Sequence, residues 1–246
     1  FFQAKNSLNA DLANCKRKSQ FNCAESLSYN VNNVSKGTPC AFPVFAGKQD
    51  DIAAQIDHII KCMAKEAKNV TIQEKGCKAI SRIAVYEHFR HAIQKTDVVK
   101  KVLSITYLHS ENPRVLDAAL GALMNLALDD DIKKDISSMD SLYVLLHAMK
   151  YFMDDFRLQI NATGFMRNMA LKNLQFQEDF IFHGGLQVLS HILEMHKKNK
   201  TIQENILATL LSMTIESANG VAGKMLGDWR EKMNYSHPVQ TDKKAL

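Results

Sequence analysis

At residues 71–84 the chain reads TIQEKGCKAISRIA, and it returns to this phrase three more times. Residues 114–127 are RVLDAALGALMNLA, 157–170 are RLQINATGFMRNMA, and 201–214 are TIQENILATLLSMT. The four copies end at 84, 127, 170 and 214, so the steps are 43, 43 and 44 residues. Self-similarity at a period of about 40–47 residues marks a helical solenoid, in which each unit buries its apolar face only by stacking on its neighbours.

The segments between the copies repeat as well. After each of the first three copies comes a short amphipathic stretch (87–95, 129–137, 174–182). A longer one follows, carrying Val98, Val102 and Leu103, then Leu142, Leu145 and Leu146, then Leu186 and Leu189. Asp and Asn stand where helices should start: Asp50-Asp51, Asn69, Asp97, Asn112-Pro113, Asp154-Asp155 and Asn199. No run alternates apolar and polar residues long enough for a sheet, and Gly (10) and Pro (4) are scarce in 246 residues. The chain reads as all-α.

Three regions follow from this grammar. Residues 1–48 form a basic, mostly irregular leader, with six Lys and Arg against Asp11 and Glu25, unless Phe42, Val44 and Phe45 fold back on the array. Residues 49–217 form the repeat array. Residues 218–246 hold a capping helix around Met225, Leu226 and Trp229 and then a loose polar tail. Net charge is only +5, and the six basic residues of the leader are spread out, so a solvated tail is expected rather than a nucleic-acid or lipid contact.

The five cysteines, Cys15, Cys23, Cys40, Cys62 and Cys77, match no zinc spacing. Cys62 and Cys77 fall at apolar helix positions and read as core residues; a cytoplasmic setting is expected. No stretch is apolar enough to span a membrane. Residue 1 is Phe rather than Met, so any upstream targeting or lipidation segment is invisible here. Sequons occur at Asn33, Asn69, Asn161, Asn199 and Asn234; Asn69 and Asn199 are better explained as helix caps. No nucleophile elbow, phosphate loop, H-E-x-x-H or C-x-x-C occurs, so no catalytic residue, metal site or cofactor is assigned. His88 with His91, and His191 with His196, lack a convergent third ligand and are expected at the surface. Aromatics do not alternate with a basic patch, which argues against a single-strand nucleic-acid platform.

Short, long and longer helix in each unit is the grammar of an armadillo repeat. Ala119-Leu-Gly-Ala-Leu-Met-Asn-Leu-Ala127 closely resembles that family's third-helix signature, and Phe165-Met-Arg-Asn-Met-Ala170 is a degenerate copy. Gly185-Leu186 followed by Val-Leu-x-x-Ile-Leu resembles its turn and second helix. The resemblance covers about residues 50–217 and implies a right-handed α-solenoid of some three and a half repeats. Two-helix HEAT repeats are the nearest rival, because the short links are weakly periodic.

Within the repeated helices, the rows Ile80, Leu123, Met166, Leu210 and Ile83, Leu126, Met169, Met213 should be core. Another face carries Arg82, Asn125, Asn168, Ser212; then Lys78, Gly121, Gly164, Ala208; then Lys75, Ala118, Asn161, Asn205; and Thr71, Arg114, Arg157, Thr201. Offsets of 4, 7 and 11 bring these rows near one angle. In armadillo proteins that face lines a concave groove whose asparagines hold the backbone of an extended peptide. The resemblance implies this role for Asn125 and Asn168. The tryptophan row of the nuclear-import adaptors is replaced here by Lys78, Gly121, Gly164 and Ala208. That leaves room for a bulky side chain or a partner helix and no shelf for lysine stems. Lys75, Lys78, Arg82, Arg114 and Arg157 favour an acidic or phosphorylated peptide or protein partner, with Asn161 on the same face. The competing reading is a solvated face paired with Glu74, Asp117 and Glu204. The expected function is a non-enzymatic protein-binding adaptor with no small-molecule substrate. The alternative is a structural subunit of a larger assembly.

Overall fold

The computed structural model describes residues 49–216 and 221–232. The expectations placed on the leader, including Cys15, Cys23, Cys40, Asn33 and the fold-back through Phe42, Val44 and Phe45, lie outside those residues. So do residues 217–220 and the tail from Asn234. Among the described residues there are twelve helices and no strand. They are α1 (Gln49–Lys65), α2 (Val70–Val85), α3 (Glu87–Gln94), α4 (Val98–Leu108), α5 (Pro113–Leu126), α6 (Asp130–Ser137), α7 (Ser141–Tyr151), α8 (Phe156–Ala170), α9 (Leu174–Phe182), α10 (Gly185–Met195), α11 (Lys200–Glu216) and α12 (Val221–Lys232).

The four copies of the repeated phrase are α2, α5, α8 and α11. Each packs on the next in chain order, so they form one continuous stack. The short links are true helices, α3, α6 and α9, which makes each unit three helices rather than two. The core rows are buried as the periodicity requires: Ile83, Leu126, Met169 and Met213 are wholly enclosed, as are Leu123 and Met166, while Leu210 is half-buried near the end of the stack.

Each stacked helix begins on the same device. Asn69 Oδ1 accepts from Ile72 N (3.3 Å), Asn112 Oδ1 from Val115 N (3.2 Å), Asp155 Oδ1 from Leu158 N (3.2 Å) and Asn199 Oδ1 from Ile202 N (3.2 Å). The caps keep the repeat's own period, and each satisfies a backbone donor that the first turn leaves open. Pro113 stands at the first helical position, where its missing N–H costs nothing.

A second periodic device closes the preceding turn. Gln73, fully buried, donates through Nε2 to the carbonyls of Met63 (2.9 Å) and Glu66 (2.8 Å), which end α1. Gln159 does the same for Met149 (3.1 Å) and Phe152 (2.9 Å) at the end of α7. Gln203 reaches Lys197 O before α11. In the second repeat the position is Leu116. The short helices contribute a third device at Arg90, Lys133 and Gln177, all buried. They donate to Ala84 O (3.1 Å), Leu171 O (3.2 Å) and Ala170 O (2.6 Å), carbonyls at the ends of α2 and α8. Helix ends buried inside an array need such partners, because water cannot reach them. His109 and His196, at the ends of α4 and α10, donate through Nε2 to Ala67 O (2.8 Å) and Met153 O (2.7 Å), tying those two helices to the turn of the preceding unit.

Close approach is set by small residues. A Cβ on Gly76 would run into the fully buried Met63 of α1, and Ala119 and Ala162 take the equivalent places in α5 and α8. α12 lies against α9 and α11, and its Trp229 donates to Ser190 Oγ (2.7 Å) in α10.

Candidate functional site

The face that sequence offsets gather on the stacked helices has a specific neighbour: the stacked helix before it. Asn125 Nδ2 donates to Ser81 O (3.1 Å) and Ser81 Oγ (2.9 Å). Asn168 Nδ2 donates to Met124 O (2.8 Å). Asn161 Nδ2 donates to Asp117 O (3.2 Å) and Asp117 Oδ1 (2.7 Å). Asn205 Nδ2 reaches Thr163 Oγ1 (3.2 Å) and Ile160 O (3.4 Å), while Arg167 donates to its Oδ1 (3.2 Å). These bonds form a ladder between successive units, with the asparagine Nδ2 donor always in the later one.

Asn125 is only 3% exposed and Asn168 8%. Their amide donors are occupied inside the array, so those donors are not free for the backbone of a bound peptide. The glycine row is likewise not open, contrary to the expectation of space for a bulky side chain. Gly121 lies under the Asn161 carboxamide, whose Nδ2 is 3.3 Å from the place a Cβ would take, and a Cβ on Gly164 would stand 2.5 Å from Met124 Sδ. Both glycines are buried, because the stacked helices pack directly on one another along this row.

The cations occupy a different setting. Lys75, Lys78 and Arg82 hold in α2 the positions that Ala118, Gly121 and Asn125 hold in α5. Among the described residues no stacked helix precedes α2, and all three side chains are exposed with Thr71. The basic row is therefore the outer edge of the stack, and its equivalents in α5 and α8 are covered. Arg114 reaches back across the first joint to Glu74 Oε2, and Lys78 Nζ holds the other oxygen of the same carboxylate at 2.7 Å. Burial alone would raise the Glu74 carboxyl, but Lys78 and Arg114 outweigh it and hold it below the ordinary carboxylate value. Asp117 goes the other way. Burial pushes its carboxyl up, against the Asn161 hydrogen bond and the charges of Lys78 and Arg157. Arg157 is exposed and sits 5.8 Å over the ring of Phe156. The structure thus gathers Lys75, Lys78, Arg82 and Arg114 on one edge, sets Arg157 one unit further on, and places Asn125, Asn161 and Asn168 within the joints.

His88 and His191 are exposed, and His147 is half-buried between Tyr143 and Tyr151. Among the described residues no three His, Cys, Asp or Glu side chains converge to hold a metal. In the same residues no helix is long and apolar enough to cross a membrane.

No family model matches the chain. It is 20% identical over 190 residues to armadillo repeat-containing protein 6 of Homo sapiens, a match covering 72% of this chain. It spans about 38% of that relative's length. The fold superposes with a TM-score of 0.63 on the crystal structure of an engineered protein, a Northeast Structural Genomics Consortium target, at 19% identity, covering 80% of this chain and 78% of the other. The fold is armadillo-like. An armadillo-like array supports protein interaction in general: it offers a long, regular surface on which partner chains can lie.

Proposed function

We propose that this chain is a non-enzymatic protein-binding scaffold, and that an acidic segment of its partner docks along the exposed basic edge of α2. The observation that carries this reading is a substitution of kind. Where later units place covered small and amide residues, the first places Lys75, Lys78 and Arg82 in solvent. Arg114 extends the edge onto α5. One carboxylate, Glu74, faces both Lys78 and Arg114, so it cannot neutralise both. Arg157 would extend the same path past Phe156. The asparagines serve the scaffold, and guanidinium forks supply the recognition of carboxylate side chains. A cytoplasmic setting fits the thiols of Cys62 and Cys77, which are buried as small core residues.

Titration of a Glu-rich decapeptide onto the full chain by calorimetry tests the reading. The triple variant Lys75→Glu, Lys78→Glu, Arg82→Glu should weaken binding by about tenfold or more, and wild-type affinity should fall as salt rises. An unchanged Kd in the triple variant overturns the proposal.

The second reading, a subunit of a larger assembly, has its own observation. Cys77, Leu120 and Thr163 are fully covered by the next stacked helix, whereas the equivalent Leu207 of α11 is 48% exposed, with Leu211 at 47%. Leu207→Glu with Leu211→Glu should abolish capture by an assembly partner and leave acidic-peptide binding intact. If capture persists in the double variant, the subunit reading fails.

A further inference from the structure

Away from the stacked helices, a cleft of about 710 Å3 opens between α4, the α6–α7 turn and α9. Its rim carries two exposed rings, Tyr107 from α4 and Tyr143 from α7, and its floor is the buried Leu146 and Phe176. Besides the tyrosines, its ionisable groups are Asp140, Asp179 and His183, and no Lys or Arg lines it. In a chain of net charge +5 this is a local inversion.

The two carboxylates have no cationic partner among the described residues. Asp140 stands before α7 yet makes no capping bond through its side chain. Asp179 receives both its contacts from the neutral Gln175 Nε2, at 3.1 Å to each oxygen. His183 directs Nδ1–H to Asp179 O (2.7 Å), and Tyr107 O–H donates to Asp140 O (3.1 Å), which fixes that ring at the mouth. Exposed aromatic faces beside uncompensated carboxylates attract a flat, weakly hydrated cation more strongly than a compact ammonium.

We propose that this cleft receives an arginine side chain of a partner polypeptide, its guanidinium stacked on Tyr107 or Tyr143 and paired by Asp140 and Asp179. The site is independent of the basic edge on α2 and selects the opposite charge. One partner could therefore be held by an acidic segment at one place and an arginine at the other.

The probe is an acetylated, amidated Gly-Gly-Arg-Gly-Gly peptide added to the isotope-labelled full chain, with the citrulline peptide as its uncharged twin and the lysine peptide as a third arm. The arginine peptide should shift the ring resonances of Tyr107 and Tyr143 and the amides of 138–142 and 173–179. The citrulline peptide should leave them in place, and the lysine peptide should bind several-fold more weakly. Asp140→Asn with Asp179→Asn should weaken arginine binding by about tenfold, the factor that corresponds to about 1.4 kcal/mol. Equal shifts from the citrulline peptide, equal affinity for lysine, or undiminished binding by the double variant would each overturn the proposal. The citrulline and lysine comparisons use the unmodified chain and so do not depend on how the variant folds.

Discussion

Asn125→Ala separates the two possible uses of the asparagine row. The substitution deletes two hydrogen bonds to the preceding unit, at 3.1 and 2.9 Å, from a side chain that is almost wholly buried. Ser81 is not left stranded: its hydroxyl still donates to Gly121 O at 3.2 Å, and its carbonyl lies inside α2. The loss is therefore two neutral bonds without a buried hydroxyl orphan, about 2 kcal/mol in total. For an array of this size that lowers the thermal midpoint by about 4–8 °C. Asn168→Ala loses one bond, at 2.8 Å, and should cost about half as much. Far-UV circular dichroism during urea and thermal unfolding measures both, and hydrogen exchange should show faster opening at the α2–α5 joint. A variant whose midpoint stays at the wild-type value while acidic-peptide binding disappears would refute the reasoning, because the amide would then be serving the partner.

Gly185→Ala should be the most damaging small change, about 3 kcal/mol in urea unfolding, because the added methyl falls on the fully buried ring of Phe180. Gly164→Ala should cost about 1 kcal/mol or less, since Met124 is flexible and half-exposed and can swing aside. Gln159→Leu should cost about 2 kcal/mol by removing the Nε2 bonds to the carbonyls of Met149 and Phe152, the second of which keeps only the Asp155 N–H; a neutral result would show that a leucine serves there as Leu116 does in the second unit. Burial pushes the Cys77 thiol up to about 12 from 9.0, so a thiol reagent at pH 8 should reach it only on unfolding. The same shift makes folding stability fall between about pH 9 and 12, where the unfolded chain ionises first, a loss that Cys77→Ala should reduce.

The period, the caps and the buried rows were all legible in the sequence, because each depends on spacing alone. Asn69, Asn112 and Asn199 announce helix starts wherever they occur, and Ile83, Leu126, Met169 and Met213 repeat at the angle of a core. Spacing also showed that Asn125, Asn168 and Lys75 share a face. It could not show which neighbour covers that face, since this depends on how far each helix is rotated about its axis. The basic row is exposed only because α2 begins the stack among the described residues, a fact about position rather than residue type. The glutamine clamps were visible but unrecognised: Gln73, Gln159 and Gln203 recur at one register, with Leu116 as the exception. A polar residue returning on an otherwise apolar row was the signal that its amide had an internal duty. The cleft at Tyr107 and Asp179 had no sequence signal, because its walls come from three helices of three different units.

The asparagine amides of the ladder also run in one direction, each newcomer bringing the Nδ2 donors and each predecessor lending carbonyl and side-chain oxygens. A gene that duplicates such a unit at its downstream end thus adds a segment already equipped to adhere, with no edit required in the older part. Loss of the last unit, in turn, strands no buried amide in the one before it. Adding or removing a unit at that end leaves every older asparagine amide with its acceptor, whereas removing the first unit would leave Asn125 without the Ser81 groups it was placed to meet.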